Sequence, residues 1–324
     1  MKILVTGGSG FIGTNFIDLL EKKSCSIRNF DINEPKNTKH SRYFECVNIN
    51  NYETLLRSMT DFQPDYVVHL AARTDLNGAD LSSYLSNTRG VENILRCCKE
   101  LPNVKRLILA STKLIVPNDA QVSDYTSYSP DTIYGKSKVI GEKIVESNKY
   151  FENWIIVRPT SIWGPWSLAE GNPYGKFFQM IKKGFYIHPA IVDQPRYFGY
   201  VENTCFQIYT LLVESPDNVL KQKFYLADYQ IYDIKSWANL ISAAFGRSSV
   251  WVLPKFFVYM AAFAGDLIKF FGYQFPPFSS FRLKNMISDT TKVPLTAVKQ
   301  FVPKLPFDIK DGVKRTVTWI NEHG

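Results

Sequence analysis

The sequence predicts an α/β fold: a doubly wound parallel sheet with a smaller C-terminal lobe. Three observations predict it. Short β-branched runs alternate with stretches of helical spacing through the first half of the 324 residues. A glycine turn, Gly7-Gly8-Ser9-Gly10, joins the first such run to the first helical stretch. After Arg158-Pro159 the alternation stops, and prolines and aromatics take over.

Lys2–Thr6 is the first strand, a short β-branched-rich run that reads as a buried parallel strand. Phe11 to Lys23 follows as a helix, with Phe11, Ile12, Phe16, Ile17, Leu19 and Leu20 on one broad face. Ser26–Phe30, closed by Asp31, is the second strand and Tyr43–Val47 the third. Tyr66–Leu70 is the fourth, after a helix around Tyr52–Met59. Leu81–Leu101 reads as one long helix, Arg106–Ala110 as the fifth strand, Tyr134–Tyr150 as a helix and Trp154–Arg158 as the sixth strand. Strand and helix repeated in this way wind a parallel sheet through right-handed crossovers.

Residues 1–165 are therefore expected to form a dinucleotide-binding domain, completed by a segment returning near 196–226, and 166–324 a substrate-binding lobe. Pro165, Pro173, Pro189 and Pro195 punctuate the start of that lobe around a helix near Tyr174–Lys183. Trp251 to Phe278 is very aromatic, but its uncharged run Phe256–Gly265 is half of the roughly 20 apolar residues a spanning helix needs. No transmembrane span is expected. The segment reads as an amphipathic helix packed on the lobe, or as a membrane-surface or dimer-contact helix.

Hydrophobic residues make up 45% of the chain and charged ones 21%, enough to bury a full core and to exclude a disordered chain. Lys plus Arg (38) exceed Asp plus Glu (30), a net +8 that suits an anionic ligand or surface without choosing one. No helix-turn-helix, zinc spacing or basic tail points to nucleic acid. Five cysteines (Cys25, Cys46, Cys97, Cys98, Cys205) lack a metal-ligand rhythm, and the four histidines are scattered, so no metal site is expected. Free thiols and an N-terminus unlike a secretory signal suggest the cytoplasm.

Gly7, Gly10 and Gly13 are spaced G-x-x-G-x-x-G between a strand and a helix. Gly7 permits the tight turn, Gly10 lets a pyrophosphate approach the backbone, and Gly13 lets the helix pack closely. The N–H groups of Phe11 and Ile12, at the positive end of the helix, suit a diphosphate. Asp31, at the end of the next strand, can accept from both ribose hydroxyls and would repel a 2′-phosphate, and no arginine follows it. NAD is favoured; Lys36 and Lys39 leave NADP open.

Tyr134 and Lys138 lie four apart at the start of a helix and share a face. An ammonium beside a phenol favours the phenolate, which makes the tyrosine a usable base for a sugar or secondary-alcohol hydroxyl. Ser111 and Thr112, just past the fifth strand, stand at the carboxyl edge where such sheets bind ligands, and offer a hydroxyl to hold the same oxygen.

Together these residues resemble the extended short-chain dehydrogenase/reductase family, in its NAD-dependent nucleotide-sugar epimerase/dehydratase branch. The resemblance rests on Gly7–Gly13, His69-Leu70-Ala71-Ala72, Asn87-Thr88-Arg89-Gly90, Ala110-Ser111-Thr112, Tyr134–Lys138, Arg158-Pro159 with Gly164-Pro165, and Arg196–Asn203, in the family's order over about the first 205 residues. It implies a Rossmann fold binding NAD(P), with Tyr134 as general acid/base, Lys138 as its electrostatic partner and ribose ligand, and Thr112 on the substrate oxygen. It further implies that Asn48 and Ile49 meet the adenine, Leu70, Ala71 and Ala72 line the cofactor, and Asn87, Pro159 and Thr160 lie near the nicotinamide. Ser161 and Arg196 would contact the substrate, a nucleotide-diphosphate sugar, with Arg196 on the diphosphate.

Departures from the family narrow the chemistry. Lys113-Leu114 stand where 4,6-dehydratases carry Asp-Glu, and Leu114 where 3,5-epimerase/reductases carry Cys. Val116-Pro117 replace the strand-end tyrosine, Asn48 the usual Asp, and Ser161 an Asn. What remains is transient oxidation at one sugar carbon by an epimerase, or hydride delivery by a related keto-sugar reductase. Leu253–Phe257 and the aromatic segment beyond it also resemble the steroid dehydrogenase branch, which implies an apolar alcohol as substrate. A non-catalytic dinucleotide sensor is the reading of another class, but such regulators often lack the tyrosine and lysine present here. The resemblance also implies a homodimer, built by pairing Leu81–Leu101 and Tyr134–Tyr150.

Overall fold

The computed structural model describes residues 1–117, 120, 122–167, 172–191, 195–270, 280, 283, 287 and 292–323. The chain opens with β1 (Lys2–Thr6), α1 (Phe11–Leu20), β2 (Ser26–Asp31), β3 (Phe44–Cys46), α2 (Tyr52–Phe62) and β4 (Tyr66–His69). A 3₁₀ segment (Leu81–Asn87), α3 (Arg89–Glu100), β5 (Arg106–Ala110), α4 (Ile133–Ser147) and β6 (Trp154–Pro159) follow.

One residue alternation explains why the sequence of the strands is so apolar. Ile3 and Val5 point into one core layer while Leu4 points into the other, and Leu107, Ile108 and Leu109 alternate in the same way. The first layer is closed by α1, through Phe16, Ile17 and Leu20, and the second by α2 and α3, through Leu55, Met59, Ile94 and Leu95. The inner strands of the central sheet are thus covered on both sides, as a parallel sheet requires, while the edge strand β3 is only half-buried.

Beyond β6 come β7 (Ser161–Trp163), α5 (Pro173–Lys183), β8 (Ile187–Pro189), β9 (Arg196–Tyr200), α6 (Val201–Tyr209) and β10 (Lys223–Leu226). β11 (Ile231–Tyr232), α7 (Ile234–Ala244), β12 (Trp251–Leu253), α8 (Lys255–Phe270) and the helices Thr296–Phe301 and Ile309–His323 complete the described elements. The seven-stranded sheet has the order β10-β6-β5-β4-β1-β2-β3, and all its pairings are parallel. The order reverses at β1, so a crevice opens beyond the carboxyl ends of β1 and β4. This is the doubly wound, Rossmann-like sheet expected. Within 196–226, β10 joins that sheet, while β9 pairs with β7 and β11 in a three-stranded sheet of its own.

The lobe is an aromatic cluster. Trp163, Phe178, Phe198, Tyr200 and Trp237 are buried together, and the Trp163 indole N–H donates to the Tyr232 hydroxyl at 2.9 Å. Of the segment Trp251–Phe278, residues 271–278 lie outside the described ones. Among the described residues, no helix is long and apolar enough to cross a membrane.

One expected element is different. Leu81–Leu101 is not a continuous helix: it breaks at Thr88 (φ −125°, ψ −76°), and Tyr84 is non-helical within the 3₁₀ segment. The break turns two side chains inward. Tyr84 is fully buried, its hydroxyl donating to the Asp75 carbonyl at 2.8 Å, and Asn87 reaches the catalytic side of the sheet. Satisfying those two polar groups outweighs helix continuity.

Candidate active site

The glycine turn is built by sterics. Gly7 has φ +74°, and a Cβ there would lie 2.5 Å from the Ala71 nitrogen, so the turn presses directly on the chain leaving β4. Gly13 rests on the turn itself, within 2.3 Å of the Gly7 oxygen by the same measure, whereas the Cβ position of Gly10 meets only the Gly7 oxygen, at 3.3 Å. The side of Gly10 is thus open to an approaching ligand. No side chain caps α1, which leaves its first amides for an anion. Asp31, at the end of β2, is held by N–H donors from Ser9 (3.1 Å) and Asn33 (3.0 Å). Its carboxylate is therefore oriented at the mouth of the crevice.

Along the rim, Leu70, Ala71 and Ala72 are half-buried, and the Leu70 N–H donates to the Thr6 carbonyl at 2.9 Å. Asn48 is exposed, and its side-chain oxygen accepts from the Asn50 N–H at 2.9 Å. Ile49 is buried beneath Gly90, and its carbonyl accepts from the Asn93 amide.

The chemistry-bearing group sits where β5 ends. Thr112 accepts from the Leu114 N–H at 3.2 Å, so its one proton is free to be donated elsewhere, and its side chain stands near enough to the Tyr134 phenol to favour the phenolate. Gly135 makes this meeting possible: a Cβ there would lie 2.3 Å from the Leu114 carbonyl oxygen, so α4 can start against the strand-end turn only with glycine after Tyr134. Thr132 caps α4 by accepting from the Gly135 N–H. Tyr84 stands beside Tyr134, ring centroids 6.2 Å apart.

The electrostatics correct one expectation. Burial raises the Tyr134 phenol to about 12, the Thr112 side chain pulls it down in part, and Tyr84 pushes it up. Burial outweighs any pull toward neutrality, and the Lys138 ammonium donates to the Ala110 carbonyl at 2.6 Å. Burial lowers Lys138 to about 8, and Glu142, one helical turn further on, opposes that fall. Lys138 is therefore charged at neutral pH. His69, buried next to this group, is pressed down to about 3 by burial and then by Lys138; it stays neutral and shares a 2.7 Å hydrogen bond with the Thr6 hydroxyl.

Sequence reasoning missed what lies behind Lys138. Glu142 and Arg158 form a fully buried pair, with Nε–Oε1 3.0 Å and Nη2–Oε2 2.7 Å. The Tyr225 hydroxyl accepts from Arg158 at 3.2 Å, and the Tyr128 hydroxyl donates to Glu142 at 2.8 Å. This network ties α4 to β6 and β10. The signal was present: Glu142 is four residues after Lys138, on the same helical face.

Asn87 is a clamp. Its amide donates to the Arg73 carbonyl and to the Ser137 hydroxyl, both at 2.9 Å, and its oxygen accepts from the Arg73 N–H. It joins the loop after β4 to α4. Pro159 is buried at the end of β6, Thr160 donates to the Leu226 carbonyl, and Ser161 is half-buried at the start of β7. Arg196 is buried in β9. The fold also brings Asp18, Glu21 and His40 within 4.8 Å of one another, a grouping the sequence did not reveal. Those atoms are engaged in pairs, His40 with Asp18 at 2.9 Å and Arg42 with Glu21 at 2.6 Å.

A family model for the NAD dependent epimerase/dehydratase family matches residues 3–227. The chain belongs to the NAD-dependent epimerase/dehydratase family. It is 31% identical over 238 residues to the GDP-6-deoxy-D-talose 4-dehydrogenase of Aggregatibacter actinomycetemcomitans, covering 72% of this chain and 78% of that one. Its fold is similar to that of the UDP-glucose 4-epimerase of Thermotoga maritima, solved with UDP-glucose (TM-score 0.76, 19% identity, 99% of both chains). It is similar also to the UDP-glucuronic acid 4-epimerase of Bacillus cereus in complex with NAD (TM-score 0.73, 19% identity, 99% of both chains). For an NAD-dependent epimerase/dehydratase the turn at Gly7–Gly13 and the oriented Asp31 carboxylate fit the cofactor that gives the family its description.

Proposed function

We propose that the chain acts on the sugar of a nucleotide-diphosphate sugar, as an NAD-dependent epimerase or the closely related keto-sugar reductase. The observation that carries this reading is the close approach of Gly135 to the Leu114 carbonyl, which sets Tyr134 beside the turn that carries Thr112 at the carboxyl edge of β5, with Lys138 one helical turn on. Gly7, Gly10, Phe11, Ile12 and Gly13 would hold the diphosphate of NAD, Asp31 its ribose, and Leu70–Ala72, Pro159 and Thr160 the remainder. When bound, NAD supplies the hydride acceptor and donor.

The remaining steps belong to the chain's own side chains. Thr112 donates to the substrate oxygen and orients it toward Tyr134. The Tyr134 phenol, kept protonated by burial, is ready to donate to a keto oxygen, which serves both a reductase and the returning half of an epimerase. In the oxidising direction the deprotonated Tyr134 Oη takes the hydroxyl proton, a form that burial makes scarce and that a charged Lys138 one helical turn away favours without bringing the phenol to neutrality. Asn87 acts at one remove, fixing Ser137 and hence α4. On this reading residues 1–165 bind the cofactor and 166–324 the substrate, with Arg196 on its diphosphate and Ser161 beside the sugar.

Incubation with UDP- and GDP-sugars plus NAD or NADH, followed at 340 nm and by NMR of the sugar, tests the reading. Steady NADH change marks a reductase or dehydrogenase. Inversion of one carbon without net NADH change marks an epimerase. Neither signal with any nucleotide sugar overturns the proposal. The same reading makes the chain a homodimer through Leu81–Glu100 and α4, supported by exposed Leu81 and Leu85, and tested by light scattering. Its five free thiols support a cytoplasmic site of action.

A further inference from the structure

Two segments distant in sequence, 173–190 and 243–265, form one surface. β12 pairs in parallel with β8, which sets Trp251 beside Ile187, and both side chains are exposed, Trp251 at 81%. Phe185, just before β8, is 72% exposed. Arg247 folds against the adjoining Gly184, where a Cβ would lie 2.8 Å from its Nη1, so a cation stands beside the residue that precedes Phe185. α8 continues the surface. It packs inward through Val258 and Ala262, one turn apart, and presents Phe256 (68% exposed), Tyr259, Met260 and Phe263 (64%) on its outer side. A helix that meets water carries charged residues on that side.

Among the described residues of these two segments the charged side chains are all cationic, although Lys182 turns to the Ile320 carbonyl at 3.4 Å. Residues 173–190 and 243–265 contain Lys176, Lys182, Lys183, Arg247 and Lys255 and no Asp or Glu. The next carboxylate, Asp266, accepts from the Ser280 N–H. Aromatic rings fringed by cations are the composition of a helix lying in a bilayer interface beside anionic headgroups. A second copy fits less well, because an isologous contact would set one all-cationic rim against another. The uncharged run of α8 is too short to cross the hydrocarbon core, so the face lies on a bilayer and does not enter it as a span.

We propose that the outer face of α8, with Phe185 and the β8–β12 edge, docks the protein on an anionic lipid surface. The test is flotation of the full-length protein with vesicles of phosphatidylcholine alone or mixed with phosphatidylglycerol. Flotation is expected with the mixed vesicles and not with phosphatidylcholine, and it weakens as salt is added. Lys183→Glu with Arg247→Glu should reduce partitioning by well over tenfold, at roughly fivefold for each basic residue removed. Phe256→Ser with Phe263→Ser should abolish it. If the aromatic variant does not fold, as judged by its thermal melt, the charge variant decides, since both its sites are exposed. No flotation with either vesicle overturns the proposal, as does equal flotation with both. A concentration-dependent dimer that the aromatic variant dissolves, without flotation, assigns the face to self-association and overturns it too.

Discussion

The carboxyl edge of the sheet and the outer face of α8 both carry aromatic side chains, under opposite constraints. At the edge, Tyr84 is wedged against Gly78, where a Cβ would lie 2.3 Å from its ring, and its hydroxyl is bound to Asp75. Tyr134 is held by the approach of Gly135 to Leu114. On α8, Phe256 and Phe263 project into solvent. Residue type therefore does not separate the regions; what does is whether backbone and polar partners dictate where the ring goes. Where they do, the aromatic serves chemistry. Where they do not, it serves contact with something outside the chain.

The sharpest way to break this comparison is Tyr134→Phe. Deleting one oxygen keeps the ring contact with Tyr84, so the melting temperature should change little while kcat falls about 10²–10⁴-fold. A rate near wild type would mean that the edge aromatics are packing only. The pH profile sharpens the point. Tyr134 is raised to about 12 and Lys138 lowered to about 8, so the oxidising direction should accelerate with rising pH until Lys138 begins to lose its proton near pH 8. The reducing direction, which needs the protonated phenol, should lack that acceleration.

Glu142→Gln comes next. It leaves the Arg158 guanidinium buried without its counter-charge, a change that costs about 3–5 kcal/mol in comparable pairs, read here by urea unfolding. It also removes the group that holds the Lys138 pKa up, so the high-pH limit of activity should move to lower pH. A stability loss with an unmoved pH limit would confine Glu142 to a structural role.

Gly135→Ala should have a smaller effect. The new methyl must displace the Leu114 carbonyl, and overpacking of this kind costs about 1–3 kcal/mol. Because Leu114 also donates its N–H to Thr112, the displacement should weaken the Thr112–Tyr134 contact and lower kcat more than stability alone explains. Thermal unfolding and kcat measured on the same preparation separate the two effects.

The same contrast governs what the sequence revealed. β1 and β5 have the limits the residues implied, Lys2–Thr6 and Arg106–Ala110, because a strand buried on both faces needs an apolar centre (Ile3–Val5, Leu107–Leu109) and must stop where the ligand edge begins. The spacing of Gly7, Gly10 and Gly13 and the positions of Thr112, Tyr134 and Lys138 were legible because close backbone approach and a shared helical face leave few alternatives. The break at Thr88 was hidden, since Leu81–Leu101 has good helical spacing and only the tertiary partners of Tyr84 and Asn87 interrupt it. The Arg158–Glu142 pair was half legible: the spacing shows Glu142 one turn after Lys138, but its partner lies on a different element. The direction of the Tyr134 shift was misread because spacing shows a neighbouring charge but not the depth of burial. β7, β8, β11 and β12, two or three residues each, are too short to show a period.

The smallest effect tests the other half of the comparison. Phe263→Ser removes a large aromatic ring, yet the folded protein should change by no more than about 0.5 kcal/mol, because a ring 64% exposed has little contact to lose. In a buried position such as Phe198 or Phe178 a truncation of the same kind costs about 3–5 kcal/mol. Urea unfolding of Phe263→Ser beside Phe198→Ala measures both. A loss of several kcal/mol at Phe263 would show that the ring is packed within the fold, and the outer face of α8 would then need no partner. A negligible loss leaves an aromatic face that folding does not require.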